Sequence, residues 1–256
     1  SVISGVGEVA YSRGFAVTIS QSNDNFEKES KIAQALFANR VDGIILSIGM
    51  ESSSTDHLKL FSERNIPIVF FDRIVDEIEA HKIVVDDYGG AFRATKHLIS
   101  QGAKNIAHIG GPLHLKIYEY RQKGYSDALK EAGLDVNKSL IINNSLSREE
   151  GTLSIQKLLQ NEVVPDGIFC ANDTTALSVI IHLKEKGIKV PEDIAIVGFS
   201  NEPFSEVVTP SISTVKQPGF MIGQKAAQLL IQQILHNNEN SEYKTIVMPT
   251  ELIIRE

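Results

Sequence analysis

Short apolar runs rich in Val and Ile alternate along the chain with longer segments in which apolar residues recur every three or four positions. The short runs have the length of buried strands, and the longer segments have the period of amphipathic helices. The predicted strands are 15–20, 43–47, 68–71, 82–85, 105–109, 140–142, 167–171 and 194–198, and the predicted helices are 27–39, 55–64, 88–101, 121–132, 149–160 and 174–186. Such alternation is typical of parallel sheets covered by helices on both faces. The pattern therefore predicts an α/β fold with doubly wound parallel sheets.

Three of the predicted helices are each followed by a glycine, at Gly102, Gly133 and Gly187. Glycine adopts the left-handed backbone that commonly ends a helix at little cost. We expect a positive φ at all three positions.

Two places depart from the rhythm of a single sheet. Residues 72–81 separate two successive predicted strands by too few residues for a helical crossover, so we expect the chain to leave one sheet there and enter another. The last third contains a predicted strand at 212–215, a long helix at 218–236, and strands near 246–248 and 252–254. If the chain changes sheets near residues 86, 216 and 240, it forms two lobes joined by three crossover strands. The first lobe would contain residues 1–85 and 216–239, and the second would contain residues 86–215 and 240–256. Such a hinged pair closes on a ligand between its lobes.

The first residues of the chain already have helical spacing. Val2, Ile3, Val6, Val9 and Ala10 would lie on one helix face, and no predicted strand comes before them. In a doubly wound lobe, the strand that precedes the first helix usually lies at or near the centre of the sheet. We therefore expect the first lobe to lack its first strand, which would lie upstream in a larger protein.

Composition and charge narrow the function classes. The 256 residues are 42% hydrophobic and 22% charged, as in ordinary globular proteins. Their formal net charge is −7, so these residues are poor candidates for binding the DNA backbone. A single cysteine, Cys170, excludes internal disulfides and fits a reducing compartment, so we expect the cytoplasm. No apolar run is long enough to span a membrane.

Several motifs that could carry chemistry do not fit their context. Gly5, Gly7 and Ala10 have dinucleotide-loop spacing, but they lie inside a helical pattern. The histidines lack metal-site spacing, and no G-x-S-x-G segment presents a nucleophile. The sequence therefore predicts no cofactor, no metal and no catalysis.

Specific segments resemble the lactose-repressor (LacI/GalR) family of bacterial transcription regulators. The most extensive match is 197–215, VGFSNEPFSEVVTPSISTV, followed by Lys216, Gln217 and Pro218. Further matching segments are 42–45 (DGII), 68–72 (IVFFD), 109–112 (IGGP), 121–128 (RQKGYSDA), 169–176 (FCANDTTA), 190–197 (VPEDIAIV) and 249–256 (PTELIIRE). The resemblance implies a two-lobed, periplasmic-binding-protein-like (type I) domain that binds a small-molecule effector and forms a homodimer. Operator DNA would be bound by an upstream helix-turn-helix that is not among these residues.

The resemblance also implies which residues contact the effector. Asp72 ends the IVFFD strand, where the family often places a residue that accepts hydrogen bonds from ligand hydroxyls, and the alternative is a turn or capping aspartate. Arg73 beside it points either to the effector or to solvent. Arg121 matches the arginine that begins the family's R-x-x-G-[FY] segment, with a solvent-facing helix arginine as the alternative. We expect Arg121→Ala to abolish the ligand response and to leave the stability of the unliganded protein nearly unchanged.

Two further segments supply ligand candidates by the same resemblance. Asn172 matches a residue whose amide binds effector, Asp173 is interpreted as the helix N-cap, and Phe169 either stacks on the ligand or belongs to the core. Ser200 departs from the common pattern, which has aspartate at this position. Asn201 or the glutamate after it would then substitute.

The sequence says less about the chemical class of the effector than about the protein family. Leu115, Ile117 and Glu119 stand near positions where relatives often carry polar or basic residues, which favours a neutral ligand, and we expect a sugar or related metabolite. An alternative is a periplasmic sugar-binding protein of a transporter, which shares the fold and would carry a signal peptide instead of a helix-turn-helix. An enzyme on the same scaffold ranks last.

Overall fold

The computed structural model describes residues 1–236 and 242–255, which form two compact units. The first unit is Ser1–Val85 with Pro218–Met248, and the second is Asp86–Gln217 with Pro249–Glu256. The helices are α1 Val2–Ser12, α2 Phe26–Ala38, α3 Asp56–Ser62, α4 Asp87–Ser100, α5 Lys116–Glu131, α6 Arg148–Leu158, α7 Asp173–Glu185, α8 Phe204–Val207 and α9 Gly219–Leu235. The strands are β1 Ile44–Leu46, β2 Ile68–Phe71, β3 His81–Val85, β4 Ile106–Gly110, β5 Ile141–Asn143, β6 Gly167–Cys170, β7 Ala195–Ser200, β8 Ser213–Lys216, β9 Thr245–Met248 and β10 Glu251–Ile253. The α/β class predicted from the pattern is confirmed.

The first unit contains a four-stranded parallel sheet in the order β1-β2-β3-β9. Alternate residues of β2 enter two separate cores: Phe70 packs with Leu58 and Phe61 of α3, while Val69 packs with Ile222 of α9. Helices therefore cover both faces of this sheet, which is why its strands are apolar at successive positions instead of alternating with polar residues.

The structure corrects three expectations about the first unit. The segment 72–81 does not lead to another sheet, because β3 pairs directly with β2 in parallel. The apolar run at 15–20 forms no strand in the described chain. The predicted boundary at 239/240 falls outside the described residues, and β9 beyond it pairs with β3, so the last crossover lies between Met248 and Pro249.

The second unit contains a six-stranded sheet in the order β10-β8-β7-β6-β4-β5, parallel except for the edge strand β10. Its core combines aliphatic residues with three fully buried aromatic side chains, those of Tyr125, Phe169 and Phe199. The Tyr125 hydroxyl donates a hydrogen bond to the carbonyl of Ile106 over 2.6 Å, so its one polar atom is satisfied.

Local sequence predicts most helix ends within one or two residues. Gly102, Gly133 and Gly187 have φ values of +98°, +71° and +73°, which confirms their role after helix ends. Helix α5 begins at Lys116, more than a turn before the predicted start. None of the helices in the described ranges is both long and apolar enough for a membrane span.

Candidate functional site

In the first unit, Asp72 and Arg73 follow β2 at the carboxyl end of the parallel sheet, where α/β folds bind ligands. Asp72 has a φ of +56°, a left-handed backbone that aspartate tolerates better than most residues. Arg73 Nη1 donates to Asp24 Oδ1 over 2.6 Å, and only 17% of the Arg73 side chain is exposed. Within the described residues the Asp72 carboxylate makes neither a hydrogen bond nor an ion pair, so Asp72 is the more available of the two.

A buried carboxylate holds the loop that follows β1. Glu29 Oε2 accepts a hydrogen bond from the Gly49 amide over 2.6 Å, and Oε1 accepts one from the Ser52 hydroxyl over 2.7 Å. His57 Nε2 lies 2.9 Å from Oε1. Burial by itself would raise the pKa of Glu29, but the contacts with His57, Ser52 and Gly49 outweigh it and lower the pKa. Glu29 therefore stays charged and fixes the carboxyl end of β1.

In the second unit, Arg121 forms a buried ion pair. Its Nε and Nη2 lie 2.8 Å and 2.7 Å from Asp87 Oδ1, and its Nη1 donates to the Ala171 carbonyl over 2.7 Å. The guanidinium carbon lies 3.7 Å from the centroid of the Phe199 ring. Only 3% of Arg121 is exposed, so the solvent-facing alternative is wrong. The ion pair argues against the expectation that Arg121→Ala leaves stability unchanged, because that substitution would remove a charged partner from a buried carboxylate.

Phe169 lies in the core with none of its surface exposed. Its ring stacks on His108 at a centroid distance of 5.0 Å, and His108 stacks in turn on Tyr125 at 5.1 Å. His108 Nδ1 donates to the Phe169 carbonyl over 3.1 Å. Burial lowers the pKa of His108 to about 4, so this ring is neutral near pH 7. Phe169 therefore belongs to the buried aromatic stack, and ligand stacking by Phe169 stays a prediction.

Asn172 caps α7. Its Oδ1 accepts from the Thr175 amide over 2.8 Å, and its Nδ2 donates to the Leu146 carbonyl over 3.3 Å. The interpretation of Asp173 as the N-cap is wrong, because Asp173 is the first helical residue and points elsewhere. A ligand role for Asn172 stays a prediction and would use its remaining amide hydrogen.

Asp173 links α7 to the strands β7 and β8. Its Oδ2 accepts from the Glu202 amide over 2.8 Å, and its Oδ1 accepts from the Thr214 hydroxyl over 2.6 Å. Burial raises the pKa of this carboxyl above its usual value. Gly198 packs against it so closely that a Cβ there would lie 2.1 Å from Asp173 Oδ1.

Ser200 ends β7 and Asn201 follows it, with φ values of +117° and +54°, both in the left-handed region. The Ser200 hydroxyl accepts from Gln217 Nε2 over 3.4 Å. Asn201 Oδ1 accepts from Arg255 Nη2 over 2.6 Å, so that oxygen is already occupied. A non-glycine residue held at positive φ is uncommon, and such strain clusters at functional sites.

Arg121 brings the ends of two strands together. It binds the carbonyl of Ala171, directly before Asn172, and it touches the ring of Phe199, directly before Ser200. In the second unit, the candidates predicted on β6, β7 and α5 thus lie near the carboxyl ends of neighbouring strands.

Sequence reasoning missed the residues that hold these candidates in place. The carboxylate of Asp87, at the start of α4, pairs with Arg121 across 34 positions. Arg255 and Thr214 also act over long sequence separations, and no local pattern marks them. The pairing of a matched arginine with a second acid could have been inferred only from the tertiary arrangement.

The side chains at the carboxyl ends of these strands are suited to recognising a ligand. Burial, with a further contribution from Asp173, raises the pKa of the Cys170 thiol, so it is a poor nucleophile. In the part of the chain that the structure describes, no group of three or more His, Cys, Asp or Glu could hold a metal ion. Hydroxyl, amide and carboxylate groups remain, and these are hydrogen-bonding groups for a ligand.

Comparison with known proteins places these features in a family. Residues 95–256 match the family described as periplasmic binding protein-like domain. The chain is 33% identical over 258 residues to the HTH-type transcriptional repressor PurR of Haemophilus influenzae (strain PittEE), covering 99% of this chain and 75% of the relative.

Solved structures of transcription regulators are also similar to this chain. The transcription regulator CcpA of Lactococcus lactis superposes with a TM-score of 0.91 at 28% identity, covering 99% of this chain and 92% of that one. A transcriptional regulator CelR–cellobiose complex superposes with a TM-score of 0.88 at 28% identity, covering 100% and 77%. The regulator interpretation is therefore confirmed over the transporter and enzyme alternatives, since these relatives are a transcriptional repressor and two transcription regulators. The chain belongs to the LacI/GalR family of transcriptional regulators, which bind small-molecule effectors and operator DNA, and it carries that family's effector-binding domain.

Proposed function

We propose that this domain senses an uncharged, hydroxyl-rich metabolite, a sugar, and that effector binding controls the affinity of the intact regulator for its operator. The observation that carries the proposal is the buried pair of Arg121 and Asp87. A phosphate or carboxylate effector would be bound best by an uncompensated cation, and here the charge of the guanidinium is already balanced inside the protein.

The other candidate groups favour the same class of ligand. Asp72 would accept hydrogen bonds from sugar hydroxyls and would repel an anion. Leu115 and Ile117, where a basic residue would have attracted an anion, are buried apolar side chains. The structurally similar regulator CelR was solved in complex with cellobiose, which is consistent with sugar recognition on this scaffold.

The individual ligand contacts are part of the proposal. Asp72, Ser200 and Asn172 would exchange hydrogen bonds with the effector, and the Asn201 amide nitrogen would add a donor. Arg73, Arg121 and Phe169 would act mainly by positioning these groups, since Asp24, Asp87 and the core already surround them.

We also propose a homodimer in the cytoplasm, where a repressor reaches its operator. Exposed apolar side chains on α1 and α9, Ile3, Tyr11, Phe220 and Met221, are candidates for the dimer contact. Sedimentation velocity of the chain and of Met221→Glu tests this. A monomer at every concentration would contradict it.

A thermal-shift screen tests the effector class, because a ligand that binds only the native state raises the melting temperature by mass action. The panel contains cellobiose, ribose, their phosphates and purines. We expect an uncharged sugar to raise the melting temperature and its phosphate to do so far less. A shift produced only by phosphates or purines would overturn the sugar proposal.

A further inference from the structure

In the second unit, the turn that follows β7 is held by a guanidinium from the segment after β10. Arg255 Nη2 donates to Asn201 Oδ1 over 2.6 Å, and Nη1 donates to the carbonyl of Ile212 over 2.7 Å. Nη2 also donates to Glu206 Oε1 over 3.1 Å, but that contact lies at the surface, since 66% of the Glu206 side chain is exposed. Only 12% of the Arg255 side chain is exposed, so its position is fixed by the protein around it.

This contact determines which way the Asn201 amide faces. An amide has one oxygen that accepts hydrogen bonds and one nitrogen that donates two, whereas a guanidinium only donates. The oxygen therefore faces Arg255, and Nδ2 faces away from it. Within the described residues Asn201 Nδ2 makes no hydrogen bond, and the residue is partly exposed. Both hydrogens of Nδ2 are thus available to a bound molecule.

A second anchor holds the backbone of the same turn. The Asn201 amide N–H donates to Thr214 Oγ1 over 3.3 Å, and the Thr214 hydroxyl donates to Asp173 Oδ1 over 2.6 Å. Asp173 Oδ2 accepts from the next amide along the turn, that of Glu202, over 2.8 Å. Thr214 and Asp173 are both fully buried. The Asn201 backbone and the Asn201 side chain are therefore held by different residues, which can be replaced one at a time.

The neighbouring hydroxyl is oriented in the same sense. Ser200 Oγ accepts from Gln217 Nε2 over 3.4 Å, and within the described residues the Ser200 hydroxyl has no acceptor for its own hydrogen. A hydroxyl that accepts one hydrogen bond can still donate one. Adjacent residues at the carboxyl end of β7 therefore both offer hydrogen-bond donors.

We propose that Arg255 is a positioning residue of the effector site. By holding Asn201 Oδ1 it directs Nδ2 toward the effector, so that the end of β7 selects a hydrogen-bond acceptor. An ether, carbonyl or hydroxyl oxygen of a sugar can accept from Asn201 and Ser200, whereas an ammonium group has no lone pair with which to do so. The inference rests on the proposed function in taking Asn201 as a ligand contact, while the orientation of its amide does not depend on any ligand.

Nuclear magnetic relaxation of the Asn201 side-chain NH2 group tests the orientation without a ligand. We expect an order parameter near about 0.85 in the parent and in the control Glu206→Gln, and one below about 0.6 in Arg255→Met, which cannot donate. Arg255→Lys restores a donor and should recover most of the order. The Asn201 backbone amide should stay ordered in every variant, because Thr214 still holds it.

Two results of this measurement would overturn the proposal. One is an Asn201 side-chain order parameter in Arg255→Met equal to that of the parent. The other is a side-chain order parameter below about 0.6 in the parent itself, which decides the matter even if Arg255→Met does not fold.

Calorimetric titration tests the choice of acceptor, with cellobiose or ribose, whichever raises the melting temperature of the parent. Asn201→Asp keeps an oxygen for Arg255 and removes both donors, so we expect binding to weaken about tenfold or more. Arg255→Met should weaken it about threefold or more, because the amide then turns freely. The matched control is Asn65→Asp, an exposed residue of the first unit with a φ of +56°, which adds the same charge and should leave the affinity unchanged.

Equal or tighter sugar binding by Asn201→Asp would mean that the effector donates at this position, and it would overturn the proposal. If neither sugar binds the parent, the choice of these sugars as effectors fails, and the order parameters by themselves decide whether Arg255 positions the Asn201 amide.

Discussion

Arg121 and Asp87 are joined by two contacts of 2.8 Å and 2.7 Å to one carboxylate oxygen, with both side chains almost completely buried. Replacing Arg121 by alanine removes a charged partner from the buried Asp87 carboxylate. We expect a loss of about 3–5 kcal/mol in the free energy of unfolding. Urea denaturation of the unliganded protein measures it.

Two further variants separate charge from packing at this pair. Arg121→Lys should recover little, since lysine cannot make the planar two-point contact or stack on Phe199 in the same way. Arg121→Met combined with Asp87→Leu should be more stable than Arg121→Ala, because both charges of the buried pair are removed together. A single variant Arg121→Ala as stable as the parent would mean that the pair contributes nothing.

Gly198 leaves room for the Asp173 carboxylate. A methyl group at Gly198 would lie 2.1 Å from Asp173 Oδ1, so Gly198→Ala must push the carboxylate away from its partner Thr214. We expect a loss of about 1–3 kcal/mol by overpacking, measured by thermal or urea unfolding. The matched control is Gly7→Ala in α1, where no atom lies within 4 Å of the added methyl and where the helix should gain up to about 1 kcal/mol. Equal stability of the two variants would contradict the packing argument.

His108 makes stability depend on pH in a defined window. Its pKa is about 4 in the folded protein and 6.5 as the ordinary value, so between these values the unfolded chain binds more protons than the native one. Stability therefore falls as the pH is lowered through this window and does not change on its account above about pH 7. From pH 7 to pH 5 we expect a loss of about 2 kcal/mol from this residue.

The variant His108→Phe isolates that contribution. Phenylalanine keeps the stack on Tyr125 and Phe169 but does not titrate, so the unfolding free energy of the parent should fall relative to that of the variant as the pH falls from 7 to 5. Parallel pH profiles for the parent and the variant would show that His108 is not the source of the dependence.

Asp72 should matter for ligand binding and little for folding. Asp72→Gly removes the carboxylate without backbone strain, because glycine accepts the φ of +56°. We expect the melting temperature of the unliganded protein to change by no more than a few degrees and the shift produced by the sugar identified in the screen to disappear. Asp135→Asn, at an exposed position, is the control for loss of one negative charge. A full ligand response in Asp72→Gly would remove Asp72 from the site.

Local sequence was enough to predict the α/β class, most helices and strands, and the family. The 3.6-residue period and the Val/Ile runs arise from burial on helix faces and in sheets, so they are written into neighbouring residues. Gly102, Gly133 and Gly187 were predictable for the same reason, because a left-handed helix end is a property of one residue. The matched segments also give Arg121 and Asn172 as ligand candidates, a role that stays a prediction.

Long-range pairing required the folded chain. Whether residues 15–20 form a strand depends on a neighbouring edge and not on their own β propensity, and β9 joins the first unit because it pairs with β3. The environment of Arg121 depends on Asp87, Ala171 and Phe199, which approach it from other elements. Burial and charge compensation depend on these contacts between distant parts of the chain. The sequence could therefore predict Arg121 as a ligand candidate. It could not predict that Arg121 is a buried cation whose charge is neutralised.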